Sequence, residues 1–358
     1  MFYRFTSIVI LSFICAGQVF SQNTVCFDIE PNPLSGDAAL GGFTKYVNVH
    51  GFEIFGENNV SDAQVLHAAA VAAELLDNDE DGVVDDQLLL TQLIGSGALM
   101  PMFNNEGSPM ENTFFSNYTG NGVSAVLYAT EVDPTQPGHW GNDATVEEIL
   151  HTINHIGHSA LHPTIFGFDA NSSLMSAAMD SARGGQWLTI PNPYPSNAWY
   201  HYDDQTCDYG CMAIEYIYWS IVSNMGILDD PQTCSGIANE WEPCSPALFQ
   251  STDVAMHALI SDPQYKIPQN APDGNYCPAG ISIDEVGKIP LKTYPNPTFN
   301  AVAVELEEAE LIQVLSSNGQ VVLAFQGNKG LNELNLSQLP KGTYSISTSH
   351  RQATVVLQ

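Results

Sequence analysis

Ala301-Val302-Ala303-Val304-Glu305-Leu306, Leu311-Ile312-Gln313-Val314-Leu315 and Val321-Val322-Leu323-Ala324-Phe325 follow one another near the C-terminus. Each run is short, rich in β-branched residues and close to period two, the pattern of a strand with one buried face. Asn318-Gly319 separates the second run from the third, a dipeptide suited to the positive φ angles of a tight hairpin. Three similar runs follow at 331–336, 343–348 and 353–357. So many strands in so short a segment predict an all-β, immunoglobulin-like sandwich over 290–358.

The charge breaks at the same place. The chain has 358 residues, 9 Lys+Arg and 40 Asp+Glu, for a net charge of −31. Between 46 and 265 the only basic residue is Arg183, whereas 290–358 is nearly neutral. The length suits about two domains, and 44% hydrophobic residues can build a core. A chain this acidic is repelled by nucleic acid and by anionic membranes and favours cations.

Residues 1–21 read as a signal peptide. Arg4 supplies the charged start, 7–16 a short apolar run, and Ser21 a small residue at the cleavage point. No later segment is long and apolar enough to be a transmembrane span. Six cysteines remain beyond the signal: Cys26, Cys207, Cys211, Cys234, Cys244 and Cys277. An even count in an exported chain predicts disulfides. Cys234–Cys244 is the natural local pair, and Cys26 with Cys277 would tie together the ends of the domain at 22–289. The alternative is zinc-bound thiols, although Cys207-x-x-x-Cys211 lacks the usual zinc spacing.

Two further motifs frame the sandwich, Tyr294-Pro295-Asn296-Pro297-Thr298 at its start and Leu339-Pro340-Lys341-Gly342-Thr343-Tyr344-Ser345-Ile346 near its end. With these the segment resembles the type A C-terminal sorting domain of the type IX secretion system of Bacteroidota. The resemblance implies the type IX machinery as partner, passage through the periplasm, and release or attachment at the cell surface.

The preceding domain reads as α+β, rich in helix. A strand pair is expected over 46–55, a helix capped by Ser61 up to about Leu76, a strand over 123–132, a helix from Thr145, and an apolar helix from Cys211 to about Met225. After the first helix comes Asp77-Asn78-Asp79-Glu80-Asp81-Gly82-Val83-Val84-Asp85-Asp86. Oxygen donors fall at EF-hand positions 1, 3, 5 and 9 (Asp77, Asp79, Asp81, Asp85), the Val83 carbonyl at position 7 and Gly82 at the sharp turn. Position 12 of this 77–88 loop is Leu88, so Asp85 or Asp86 would have to stand in for the missing Glu. In this it resembles dockerin-like and thrombospondin-like loops, which implies bound calcium in a structural role. The alternative is a solvated acidic turn.

Thr145 to Pro163 carries the chemistry. At 100° per residue His155 lies about 40° from His151, His158 about 20° to the other side, and Glu147 and Glu148 flank them. An aliphatic face of Ile149, Ile153, Ile156 and Ala160 lies opposite. His151 and His155 at i, i+4 can meet one zinc or other transition-metal ion, with His158 as a further donor. The pattern is similar to a zincin helix, but Thr152 stands where HExxH has its Glu. The general base would then be Glu148 or Glu147. Thr145-x-x-Glu148 also reads as a capping box, which would occupy Glu148 with helix amides. Gly157 could end the helix and take His158 and His162 off the stripe. A third ligand is expected at Glu215, a carboxylate in the apolar run 211–219 that needs a buried partner. A Glu from a downstream helix also resembles gluzincins.

Arg183 is expected either to pair with Asp180 or to bind a substrate carboxylate. The aromatic stretch 193–207 suits a cleft wall or a disulfide-pinned loop, with His201, Asp203 and Asp204 as secondary ligand candidates. Residues 46–277 are also similar to uncharacterised secreted proteins with LDNDEDG-like and EEILH-like segments, a likeness that implies no reaction. Two functions are compatible: a peptidase-like metal-dependent hydrolase acting on extracellular peptide or glycan, and a non-catalytic, calcium-stabilised surface binding or adhesion protein. A carboxylate-bridged dimetal site, suggested by Glu148-x-x-His151, lacks a second E-x-x-H.

Overall fold

The computed structural model describes residues 26–135, 143–278, 289–307, 309–316, 321–337, 339–348 and 351–358. The signal segment 1–21 and Asn318-Gly319 lie outside these. The chain forms two compact units, Met1–Gly280 and Ile281–Gln358. The first is α+β and the second all-β.

The first unit opens with strands β1 (Lys45–Val49) and β2 (Phe52–Gly56), an antiparallel pair. They turn at His50 and Gly51, whose φ angles are 55° and 109°. Helix α1 (Asp62–Leu76) follows, with a capping box between Ser61 and Gln64. Helix α2 (Gln87–Ser96) then leads to β3 (Leu99–Phe103), which pairs parallel to β2. This is the crossover that parallel pairing requires. Helix α3 (Pro109–Asn117) leads to β4 (Leu127–Tyr128), which adds parallel to β3. The strand expected over 123–132 is therefore only two residues long. Glu131 accepts the Tyr128 amide at 2.9 Å and closes a tight turn at 129–131 instead.

The rest of the unit is helical: α4 (Thr145–Thr152), a π-helical turn over Ile153–His158, α5 (Ser159–Leu161), α6 (Pro163–Phe166), α7 (Leu174–Ala182), α8 (Tyr209–Met225), α9 (Pro231–Ile237), α10 (Pro246–Thr252) and α11 (Val254–Ile260). α1 and α8 are buried on almost every side, and α8 carries the aromatic core of Tyr216, Trp219 and, from 241, Trp241. The six cysteines form Cys26–Cys277, Cys207–Cys211 and Cys234–Cys244. The first and last are the pairs expected from the sequence.

The C-terminal unit has two sheets. Strands β5 (Ile289–Pro290), β6 (Thr293–Tyr294), β7 (Ala301–Leu306), β8 (Leu311–Leu315), β9 (Val321–Gln326), β10 (Gly330–Asn335), β11 (Gly342–Ser347) and β12 (Arg351–Leu357) divide as β10-β7-β6 and β5-β12-β11-β8-β9. Alternate residues from both sheets, among them Val302, Val304, Ile312, Val314, Ile346 and Val355, share one core.

The π turn changes the phase of the histidine helix. Ser159 donates its amide to Asn154 O, five residues back. Gly157 does not end the helix. A Cβ there would lie 2.4 Å from Leu89 Cδ1, so any larger residue would push the Leu89 side chain aside where α2 packs on this turn. Gln92 of α2 also reaches the Ile156 carbonyl at 3.3 Å.

The same turn buries His158 completely. Its Nδ1 lies 3.0 Å from Asn154 Oδ1 and its Nε2 has no partner. Burial, with a smaller push from His162 and a partial offset from Asp86, takes its pKa from 6.5 down to about 4. The unfolded chain therefore binds a proton here that the folded chain refuses. Stability is complete above pH 6.5 and is lost as the pH falls towards 4. At pH 4.5 the loss amounts to about 2–3 kcal/mol. Urea midpoints at pH 7.5 and 4.5 test this: His158→Asn, which keeps a donor to Asn154, should shrink the difference by that amount.

Candidate functional site

Helix α4 sets Glu147 and His151 one turn apart on one face. α8 brings Glu215 to the same point. His151 Nε2 lies 3.5 Å from Glu215 Oε2 and has no hydrogen-bond partner. One oxygen each from Glu147 and Glu215 and one His151 nitrogen lie within 4.8 Å of one another, a spacing that could hold a metal ion. The other side of the imidazole faces Glu148, with Nδ1 to Oε2 at 3.4 Å. A carboxylate on the second ring nitrogen fixes the tautomer and orientation of a ligand histidine. Tyr218 sets its ring edge-on to His151 at 5.6 Å and shares a hydrogen bond with the Glu147 carboxyl.

The charges respond to one another. Burial lowers the His151 pKa, but Glu215 and Glu148 outweigh it and hold the ring protonated well above its ordinary range. Burial, against the pull of His151, pushes the Glu147 carboxyl up to about 8. In the absence of a cation, protons hold these carboxylates together, and a divalent ion can take their place.

Sequence periodicity placed His155 beside His151; among the described residues His155 is not one of the group formed by Glu147, His151 and Glu215. His155 Nδ1 lies 2.7 Å from Ser124 Oγ and its ring packs on Phe168. His158 is turned into the core, and His162 packs against Phe166 and Tyr265. Nor does the capping box form: Thr145 is wholly buried, its amide bonded to Asp143 Oδ1, and α4 has no side-chain cap from its own N-cap residue, Ala144. Glu148 is therefore free to face His151. Thr152 is wholly buried with its hydroxyl unpartnered. Glu147 belongs to the cluster itself rather than beside it. Its i, i+4 spacing from His151 was the available signal. Tyr218 had none beyond its place one turn from Glu215.

The acidic loop folds around Asp77. This buried carboxylate accepts the amides of Asp81 and Gly82 at 3.2 and 2.8 Å and the Tyr276 hydroxyl at 2.6 Å. Asp79 and Asp81 bring oxygens within 4.8 Å of it. Asp85 accepts the Asn78 amide at 2.8 Å. Asp86 caps α2, its Oδ1 accepting the Leu88 and Leu89 amides at 2.8 and 3.0 Å. The Val83 amide donates to Asp81 at 2.8 Å.

Arg183 is buried and does not pair with Asp180. That carboxylate is taken by the Tyr209 hydroxyl at 2.8 Å and by Gln186 Nε2 at 3.1 Å. Among the described residues His201, Asp203 and Asp204 form no metal cluster. His201 and Asp203 line an open cleft of about 530 Å³ with Tyr194, Pro195, Gln205 and Glu242.

No helix among the described residues is long and apolar enough to cross a membrane. No curated protein matches the chain. Residues 292–358 match the family model of the secretion system C-terminal sorting domain, so the β-sandwich is a type IX sorting tail and the chain is cargo of that machinery, secreted or held at the cell surface.

Proposed function

We propose that the first unit is a peptidase-like, metal-dependent hydrolase that works outside the cell. The observation carrying this reading is the convergence of Glu147, His151 and Glu215 on one point, with the histidine's free nitrogen turned towards the carboxylates. A ligand set of one imidazole and two carboxylates suits zinc or another first-row transition ion. Such an ion supplies Lewis acidity to a substrate carbonyl. Glu147 and Glu215 hold its charge, Glu148 fixes the His151 ring, and Tyr218 fixes Glu147. With Thr152 at the HExxH position, Glu148 is the nearest carboxylate left to carry a proton during hydrolysis.

Denatured casein incubated with the purified mature protein is the direct test. Cleavage is expected that stops on removal of the transition metal and in Glu215→Ala. Full activity in Glu215→Ala overturns the site.

Thr152 and the ordered acidic loop favour a second reading, a non-catalytic surface protein that calcium stabilises. Calcium held by Asp77, Asp79, Asp81, the Val83 carbonyl and Asp85 would relieve the repulsion among these carboxylates. At free calcium about 100 times its dissociation constant, binding adds about 2.7 kcal/mol. Melting curves with and without 1,2-bis(2-aminophenoxy)ethane-tetraacetate, a calcium-selective chelator, should show that loss in the wild type and none in Asp79→Ala/Asp81→Ala. An unchanged melting temperature in the wild type removes calcium from either reading.

A further inference from the structure

Arg183, the C-cap of α7, is 0% exposed. A buried guanidinium is costly unless an anion or a full set of acceptors surrounds it. Nη1 donates to the Trp187 carbonyl at 2.7 Å, and the guanidinium also lies against the Tyr194 side chain. Nε and Nη2 have no hydrogen-bond partner. These two atoms lie on one edge of the guanidinium plane. Their paired N–H groups are the fork that matches the two oxygens of a carboxylate.

The Tyr194 ring sits 5.8 Å from Arg183 Cζ, and the same ring lines the open cleft. The Tyr194 hydroxyl bonds to the Tyr202 carbonyl at 2.7 Å, and its ring packs edge-on to His201 at 5.4 Å. Asn192 and Gln205 in the cleft offer amide groups of the kind that pair with a peptide backbone. Between 46 and 265 Arg183 is the one Lys or Arg, so it is the one fixed guanidinium or ammonium a ligand carboxylate can meet there.

We propose that Arg183 anchors the C-terminal carboxylate of a peptide lying in this cleft, with Tyr194 moving aside to admit it. That the ligand is a peptide rests on the hydrolase reading; that it bears a carboxylate rests on the unpaired fork. The first unit then recognises chain ends rather than internal sequence.

The probe is acetyl-Ala-Ala-Ala with a free C-terminus, against the same peptide as its C-terminal amide. Calorimetric titration of the mature protein should find the acid bound about 10–100-fold more tightly. Arg183→Gln should erase that preference, and Arg183→Lys, which lacks the fork, should lose most of it. The comparison of acid with amide in the unaltered protein stands even where Arg183→Gln fails to fold. Equal binding of the two peptides, or binding of neither, overturns the proposal. So does loss of the preference for the acid when sodium chloride is added at a concentration equal to that of the peptide, which would mark a structural halide. Glu215→Ala separates the two readings: the preference for the acid should survive there while hydrolysis does not.

Discussion

The mature protein should retain close to one transition-metal ion per chain after dialysis, and His151→Ala should retain none. The Nε2 of His151 is buried, unpartnered and 3.5 Å from Glu215, so its removal leaves two carboxylates facing each other with no nitrogen donor. Glu215→Gln removes the charge on the opposite side and should have a similar effect. Glu148 acts one step back, through Nδ1, and its change to Gln should weaken affinity roughly 10–100-fold, with the loss from either direct ligand larger. His155→Ala is the informative control. Its side chain bonds to Ser124, so metal content should not change. Inductively coupled plasma mass spectrometry on the five proteins reads all of this. Equal metal in wild type and His151→Ala sinks the site, and loss of metal in His155→Ala restores the two-histidine geometry.

That control also marks where the sequence stopped being legible. The helix from Thr145, its buried aliphatic face and the partnership of His151 with Glu215 all follow from periodicity and from the cost of burying a lone carboxylate. The complete burial of His158 does not, because it lies in a π turn that a fixed 100° per residue does not foresee. Nothing local announces a π turn. Leu89 and Leu93 of α2 pack over Gly157 in this turn, a contact between elements distant in sequence. The strand expected at 123–132 failed for a related reason. Alternation permits a strand, but β3 offers partners only to Leu127 and Tyr128, and Glu131 gives the backbone a competing bond. The six sandwich strands were readable to within a residue or two because one buried face, one hairpin register and one core set them locally. Asp86 shows the limit of motif matching: a carboxylate at the right spacing for a cation serves as a helix cap.

The bridge between Cys26 and Cys277 should prove the most stabilising of the three disulfides. It spans 251 residues of sequence, against 10 for Cys234–Cys244 and 4 for Cys207–Cys211. In the chain-entropy account, closing the long loop in the unfolded state contributes roughly 5 kcal/mol and closing the shortest roughly 2. The native contacts around the long bridge add to the case. The Cys26 amide bonds to the Tyr276 carbonyl at 3.1 Å, and the Tyr276 hydroxyl bonds to Asp77. Asn78 accepts the Gln269 and Asn270 amides at 2.7 Å each, and Glu74 of α1 accepts those of Gly274 and Asn275. The bridge thus secures the segment that clamps the acidic loop. Cys26→Ser/Cys277→Ser should lower the urea midpoint far more than Cys207→Ser/Cys211→Ser, and should also weaken any calcium-dependent rise in melting temperature, because Asp77 loses a firmly held neighbour. Equal midpoints in the two double variants would place the stability of this unit in its helical core alone, and an unaltered calcium response would show that the loop holds its shape without the clamp.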